Sequence, residues 1–340
     1  MRKYLISNEG NFYKANLHSH STISDGKLSP EEMKNHYKSN GYSIIAYTDH
    51  DVMIPHPELN DEDFLALTGF EVEINQNDCY PLTKDISTCH ICFIAGSPDT
   101  LLQPCWNPKY AEIGNAGKYA ESVVYDKEKP PFERHYTPEC INEIIKTCRD
   151  AGFFVTYNHP SWSLESYPVY TSYHGMHAME LINGECNFHG YNDNNAQKYD
   201  DVLRNGERIF AVGADDNHNS DNFSFGGFVM IKAKKLEYKE IMDALFRGDF
   251  YASGGPMINE LYFEDGKVYI KTSNAATITV NTSHRRAWTV RSKDGSLINS
   301  ASFQIRDDDG YVRFTVRDAS GKEAYTRAFF LDEFFTDDAK

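Results

Sequence analysis

Two histidines two residues apart, His18 and His20, end a weakly alternating apolar run, and a Ser/Thr-rich turn then leads to Asp25. In an extended chain such a pair points to one side. The pattern returns downstream as Thr48-Asp49-His50-Asp51, Gly69-Phe70-Glu71, His90, Asn158-His159-Pro160 and Asp215-Asp216-Asn217-His218. Most of these stretches close strand-like segments. Imidazole and carboxylate are the ligands that borderline divalent ions prefer. Dispersed signals of one chemistry call for a fold that gathers strand ends in one place, and they predict a polynuclear metal site.

The chain has 340 residues, enough for one large domain or a large and a small one. Its 34 Lys/Arg against 50 Asp/Glu leave a formal charge of −16. That balance argues against duplex nucleic acid and anionic membrane as partners, while a small anionic substrate drawn to bound cations stays compatible. No apolar run reaches bilayer-spanning length and residues 1–9 lack the apolar core of a signal peptide, so a cytoplasmic location is expected. The seven cysteines are odd in number and scattered, which disfavours a disulfide framework. Cys89-His90-Ile91-Cys92 has CxxC spacing but lies in an apolar run read as a buried strand. A strand sends the two sulfurs to opposite faces, so both cysteines read as small buried hydrophobes.

Strands are predicted at 12–17, 42–47, 64–71, 88–95, 153–157, 178–182 and 208–213. Ser29-Pro30-Glu31-Glu32 carries an N-cap, a proline at the first helical position and a capping-box glutamate, and Gly41 ends that helix. Further helices are predicted from Thr137-Pro138 to near Gly152, over 195–205, and over 237–247. Residues 97–136, rich in Pro, Gly, Asn and aromatics, read as a long functional loop or lid rather than a disordered one. Alternation of strand and helix predicts an α/β fold with mostly parallel strands, whose C-terminal ends carry the candidate ligands as in an α/β barrel. His90, inside its predicted strand, is the exception.

After Ser253-Gly254-Gly255-Pro256 the helical period vanishes and short β-branched and aromatic runs follow, many separated by Asp-Gly or Ser-Gly turns. Residues 256–335 are expected to form a small antiparallel β-sandwich beside a larger domain at 1–255.

The ordered set resembles the PHP family, named for polymerase and histidinol phosphatase. His18-Ser19-His20 with Ser24-Asp25-Gly26, Thr48-Asp49-His50, Gly69-Phe70-Glu71, the lone His90, Asn158-His159-Pro160 and Asp216-Asn217-His218 match its motifs in order. The resemblance covers about residues 12–255, and the tail Tyr251–Pro256 plus the β module is similar to a stand-alone subgroup. It implies a distorted seven-stranded (β/α)7 TIM-like barrel with two or three divalent ions of manganese, zinc or iron. It implies that His18, His20, Glu71 and Asp216 hold one ion, that Glu71 bridges to a second held by His90 and His159, and that Asp25, His50 and His218 hold a third. His159, Asp216 and Glu71 would be the catalytic set.

Ions sharing a carboxylate lower the pKa of bound water to give hydroxide near neutral pH, and they stabilise charge on a phosphoryl oxygen. The expected activity is a metal-dependent phosphoesterase or phosphatase acting on a small phosphorylated molecule. An amide, carbamate or ester hydrolase using the same ions is the alternative, and a non-catalytic metal-binding recognition protein is a third reading. Asp49 reads as a carboxylate that orients a histidine or caps a strand end, Glu73 as a competitor for the bridging role, and Asp215 as a competitor for Asp216. Asp51, His56, His174, His177 and His189 read as ordinary loop residues. Arg134 and His135 read as phosphate contacts or solvated loop residues.

Overall fold

The computed structural model describes residues 2–80, 82–191, 194–219 and 224–335. Its strands are β1 (Lys3–Tyr4), β2 (Asn11–Asn16), β3 (Ile44–Tyr47), β4 (Leu65–Asn75), β5 (Thr88–Ala95), β6 (Phe153–Tyr157), β7 (Ala178–Asn183), β8 (Phe210–Ala214), β9 (Phe228–Ala233) and β10 (Phe250–Ser253). After them come β11 (Ile258–Glu264), β12 (Lys267–Ala275), β13 (Thr277–Thr282), β14 (Ala287–Val290), β15 (Ile298–Gln304), β16 (Tyr311–Arg317), β17 (Glu323–Thr326) and β18 (Phe329–Phe330). The α-helices are α1 (Pro30–Lys38), α2 (Ala116–Tyr119), α3 (Pro138–Asp150), α4 (Tyr167–Tyr170), α5 (Gly184–Phe188), α6 (Ala196–Arg204) and α7 (Tyr238–Arg247).

Local chemistry explains the longer helices. Ser29 and Glu32 form the reciprocal capping box at the start of α1. Thr137 caps α3, whose Ile141, Ile144, Ile145 and Cys148 fall on one face and are buried against the sheet. Burying each isoleucine contributes about 2 kcal/mol. Gly248 ends α7 in the left-handed conformation that glycine adopts without strain.

The fold is mixed α/β with one large sheet in the order β14-β13-β16-β17-β10-β9-β2-β3-β4-β5-β6-β7-β8. All seven expected strands of the larger unit are present, as β2 to β8. Their directions are less uniform than expected. β2, β3 and β4 run parallel, as do β6, β7 and β8, but β5 is antiparallel to both neighbours. The cause is the β4–β5 connection over residues 76–87, whose described residues hold one short 3-10 turn and no crossover helix. Without a crossover, the next strand returns antiparallel. β9 and β10, not foreseen in the sequence, extend the sheet, β9 antiparallel to β2 and β10 antiparallel to β9. Beyond β8, a bridge between Ser19 and Asn217 brings the far end of the strand path back to β2.

The C-terminal strands form two antiparallel layers. β1, β11, β12 and β15 make one sheet, so the N-terminal strand pairs with this region. β14, β13, β16 and β17 make the other, and it continues into the large sheet through the β10–β17 pairing. One apolar cluster runs between the layers and on to Tyr37, Phe228 and Tyr251 of the larger unit. Arg313 grips Asp200 of α6 through two 2.7 Å hydrogen bonds.

Residues 97–136 hold short helical turns and a small apolar cluster of their own. Trp106, Ala111, Ala116 and Val123 pack with Ile23 and Val52. Asn115 donates to the Ser24 and Thr22 carbonyls, and Gln103 bonds Met53 N and Asp51 O. The segment thus braces the two loops that carry Asp25 and His50.

Candidate metal centre

The reversed direction of β5 accounts for His90. In the β4–β5 register His90 stands opposite Glu73 and Cys92 opposite Glu71, so the early part of β5 lies level with the late part of β4. Close packing of the two strands requires Gly69, where a Cβ would lie 2.7 Å from the Phe93 carbonyl oxygen.

All nine expected side chains converge. Nε2 of His18 lies 3.1 Å from Oδ1 of Asp216 and 3.2 Å from Oε1 of Glu71. Nε2 of His20 lies 3.1 Å from the same Asp216 oxygen and 3.4 Å from Oε2 of Glu71. Glu71 also has His50 and His90 each 3.3 Å away and His159 at 3.5 Å. Asp25 sits 3.4 Å from His218 and 3.8 Å from His20 and His50.

By proximity the donors group as His20, Asp25, His50 and His218; as His18, His159 and Asp216; and as His50, Glu71 and His90. His20 thus has Asp216 near its Nε2 and the Asp25 group near its Nδ1, and His159 lies beside both His18 and Glu71. A fourth group joins His18, Glu71 and Cys92. Cys89 and Cys92 do face opposite ways, but Cys92 faces this centre and accepts from Asn158, so it is not simply an apolar filler. Burial pushes its thiol up to about 11, which keeps it protonated near neutrality.

The donor set fits divalent ions. Nδ1 of His20, Nδ1 of His50 and both ring nitrogens of His90 are buried and face carboxylate oxygens at 3.3 to 3.8 Å without forming a hydrogen bond. Orphaned buried nitrogens are costly unless something else meets them. The charge pattern agrees. Burial opposes ionisation of Asp25, Glu71 and Asp216, yet the neighbouring histidines hold all three below the ordinary carboxylate range. Burial likewise lowers His90, but Glu71 and Glu73 outweigh it and raise its pKa to about 10. Protons in this cluster occupy places that cations can take.

Outer carboxylates fix the rings. Glu180 reaches Nδ1 of His18 at 2.7 Å and also accepts from His159 N. Glu185 reaches Nδ1 of His218 at 2.8 Å, Glu73 stands 3.4 Å from Nε2 of His90, and Ser163 lies 3.2 Å from Nδ1 of His159. Such partners set which nitrogen points inward. Glu180, Glu185 and Asn183 were missed in the sequence. Glu180 sits mid-strand in Met179-Glu180-Leu181, and a glutamate inside an apolar strand was the available signal. His159 and Asp216 both have positive φ, 22° and 54°, a conformation that side chains with a Cβ seldom adopt and that clusters at functional sites.

The neighbouring residues sort by geometry. Asp49 accepts from the amides and hydroxyls of Ser21 and Ser24, so it folds the turn before Asp25 rather than orienting a histidine. Asp215 turns away to Tyr37 and the amides of Phe225 and Gly227. His56 packs on Tyr47, His174 pairs with Glu207, and Nδ1 of His177 accepts from Val155 N. His189 lines the cavity over the centre, contrary to its reading as an ordinary loop residue. Arg134 is neither solvated nor a cavity wall; it is buried against Asp51 and the Glu73 carbonyl. His135 pairs with Asp78 at the surface. The cavity over the centre has a volume of about 650 Å³. No helix among the described residues is long and apolar enough to cross a membrane.

No protein-family model matches the chain, and no curated protein matches it. Among solved structures it is similar to a two-domain protein containing a predicted PHP-like metal-dependent phosphoesterase from Bacteroides vulgatus. Identity is 16%, coverage 97% of this chain and 99% of that one, and the TM-score 0.43. It is also similar to a proposed metal-dependent phosphoesterase from Bifidobacterium adolescentis, at 15% identity, 63% and 89% coverage and TM-score 0.38. An amidohydrolase from Chromobacterium violaceum with bound sulfate and no metal follows at 16% identity, 60% and 87% coverage and TM-score 0.39. PHP, the family that the ordered histidine and carboxylate motifs resemble, is thus also the one named for the two-domain structure to which this chain is similar.

Proposed function

We propose that the chain is a metal-dependent phosphoesterase of the PHP type, with a distorted barrel over residues 1–255 and a β-sandwich module over 256–335. The observation that carries this reading is the convergence of nine imidazole and carboxylate side chains, four of whose buried ring nitrogens make no hydrogen bond. His18, His20, Asp25, His50, Glu71, His90, His159, Asp216 and His218 would hold two or three divalent ions. Bound there, such ions would supply Lewis acidity, lowering the pKa of water toward neutrality and offsetting charge on a phosphoryl oxygen.

The chain's own groups do the rest. Glu71 lies between the His18/His20 side and the His50/His90 side, so its two oxygens can serve both. Asn158 donates to Oε1 of Glu71 and fixes that carboxylate. Asn183 does the same for Asp216. Asp25 and His218 are the more exposed donors and would face the leaving group. Hydrolysis cleaves the ester P–O bond, water giving its hydroxyl to phosphorus and a proton to the departing alcohol.

The test is turnover of nitrophenyl phosphate and a nucleotide panel by manganese-loaded protein. Hydrolysis that fails in Glu71→Gln supports the reading. Absence of turnover on every phosphoester, with ions bound, removes it. Cleavage of an amide or carboxylic ester instead would favour the alternative hydrolase.

A further inference from the structure

The walls of the cavity carry information that the ligand set does not. Five carboxylates line it: Asp25, Glu71, Glu73, Glu185 and Asp216. Among the described residues that line it, none is Lys or Arg. Positions 81, 192–193 and 220–223 carry no Lys or Arg either. Arg134, the nearby guanidinium, is buried and committed to Asp51. Five negative charges against four or six ionic charges leave −1 with two ions and +1 with three, and any positive charge then resides on the ions themselves. A site for several phosphates needs fixed donors such as Arg or Lys to meet each one.

His189 also lines the wall, 3.7 Å from Glu185, and the rest is uncharged and partly aromatic. Trp162 stands edge-on to His90 and His159, with ring centroids 5.3 and 5.0 Å away. Leu82, Ile113, Cys186 and Tyr191 also line the cavity, Tyr191 being 44% exposed. Aromatic and aliphatic walls recognise flat or apolar groups.

We propose that the substrate carries one phosphoryl group and no second anion, on an uncharged alcohol whose ring is held by Trp162, Tyr191 and Ile113. This inference rests on the phosphoesterase reading above and narrows it.

Three probes with similar leaving groups test it on the manganese-loaded chain: 2-(1-naphthyl)ethyl phosphate, ethyl phosphate, and the naphthylethyl ester bearing a second phosphate on its ring. The expected result is kcat/KM at least about tenfold higher for the first than for either other probe. In Trp162→Ala the advantage over ethyl phosphate falls toward unity, with the metal content unchanged by elemental analysis. Tyr191→Ala, at an exposed position, gives the same readout if Trp162→Ala does not fold. Equal or better turnover of the doubly phosphorylated probe overturns the inference while leaving the phosphoesterase reading standing. Equal turnover of the ring-bearing and ethyl esters overturns it as well. Hydrolysis of none of the three by protein that turns over nitrophenyl phosphate or a nucleotide also overturns the inference; if those too are inert with ions bound, the phosphoesterase reading itself fails.

Discussion

Nδ1 of His18 lies 2.7 Å from Oε1 of Glu180, and both side chains are buried. A carboxylate only accepts, so the shared proton sits on Nδ1 and Nε2 is left facing the centre. Glu180→Gln can offer its oxygen or its amide to that ring, and the inward tautomer is no longer enforced. Metal affinity is expected to fall about 10–100-fold. Competition with a chromogenic chelator measures it; unchanged affinity would mean that Glu180 is only a packed polar group.

Arg134 and Asp51 form a buried ion pair beside His50, and Asp51 holds a φ of 62°. Arg134→Met leaves the Asp51 carboxylate buried without its cation. The expected loss is about 3–5 kcal/mol of stability, read by urea unfolding. The double variant with Asp51→Asn should regain part of it, because the uncompensated charge is gone. Equal stability of Arg134→Met and the parent chain would show that the pair is dispensable.

Glu165 sits among Tyr136, Tyr157 and Tyr173, which all donate to it. Burial pushes its carboxyl from 4.5 up to about 7 in spite of those donors. Between these values the folded chain keeps a proton that the unfolded chain releases. Its contribution to stability is therefore full below 4.5 and lost as pH rises through 7. His177 acts oppositely: burial lowers it from 6.5 to about 4, so its contribution is present above 6.5 and lost as pH falls through 4. Subtracting the unfolding curve of Glu165→Gln from that of the parent chain, both ion-saturated, isolates the first component. A difference that does not change across that window contradicts it.

β10 pairs with β17, and one apolar cluster joins the C-terminal layers to Phe228 and Tyr251. Removing residues 257–340 bares the β10 edge and that apolar face. Exposed edges of this kind template aggregation. The truncated chain is expected in the void volume on size exclusion; a soluble monomer with its ions bound would show that the module is an independent attachment.

Much of this architecture was legible because local chemistry agreed with the global fold. The capping box at Ser29 and Glu32 and the apolar face of α3 were written in the sequence. The candidate donors were legible because histidine and carboxylate recur together in short motifs, most of them near strand ends, with Glu71 and His90 inside β4 and β5. What escaped depends on partners distant in sequence. The reversal of β5 follows from a crossover helix that the described residues of the 76–87 connection lack, and alternation alone does not reveal a lone reversed strand. β9 and β10 escaped because helical and loop patterns around them dominate the local signal. Glu180 and Arg134 were missed or misread because their roles are set by His18 and Asp51, which only the folded chain brings within reach.

The most direct measurement is elemental analysis of the full chain after incubation with manganese, zinc or iron and removal of free ion, beside Glu71→Ala treated the same way. The account predicts about two to three equivalents per parent chain and the loss of at least one in the variant. Binding below about a tenth of an equivalent of every ion by a folded parent chain would contradict it.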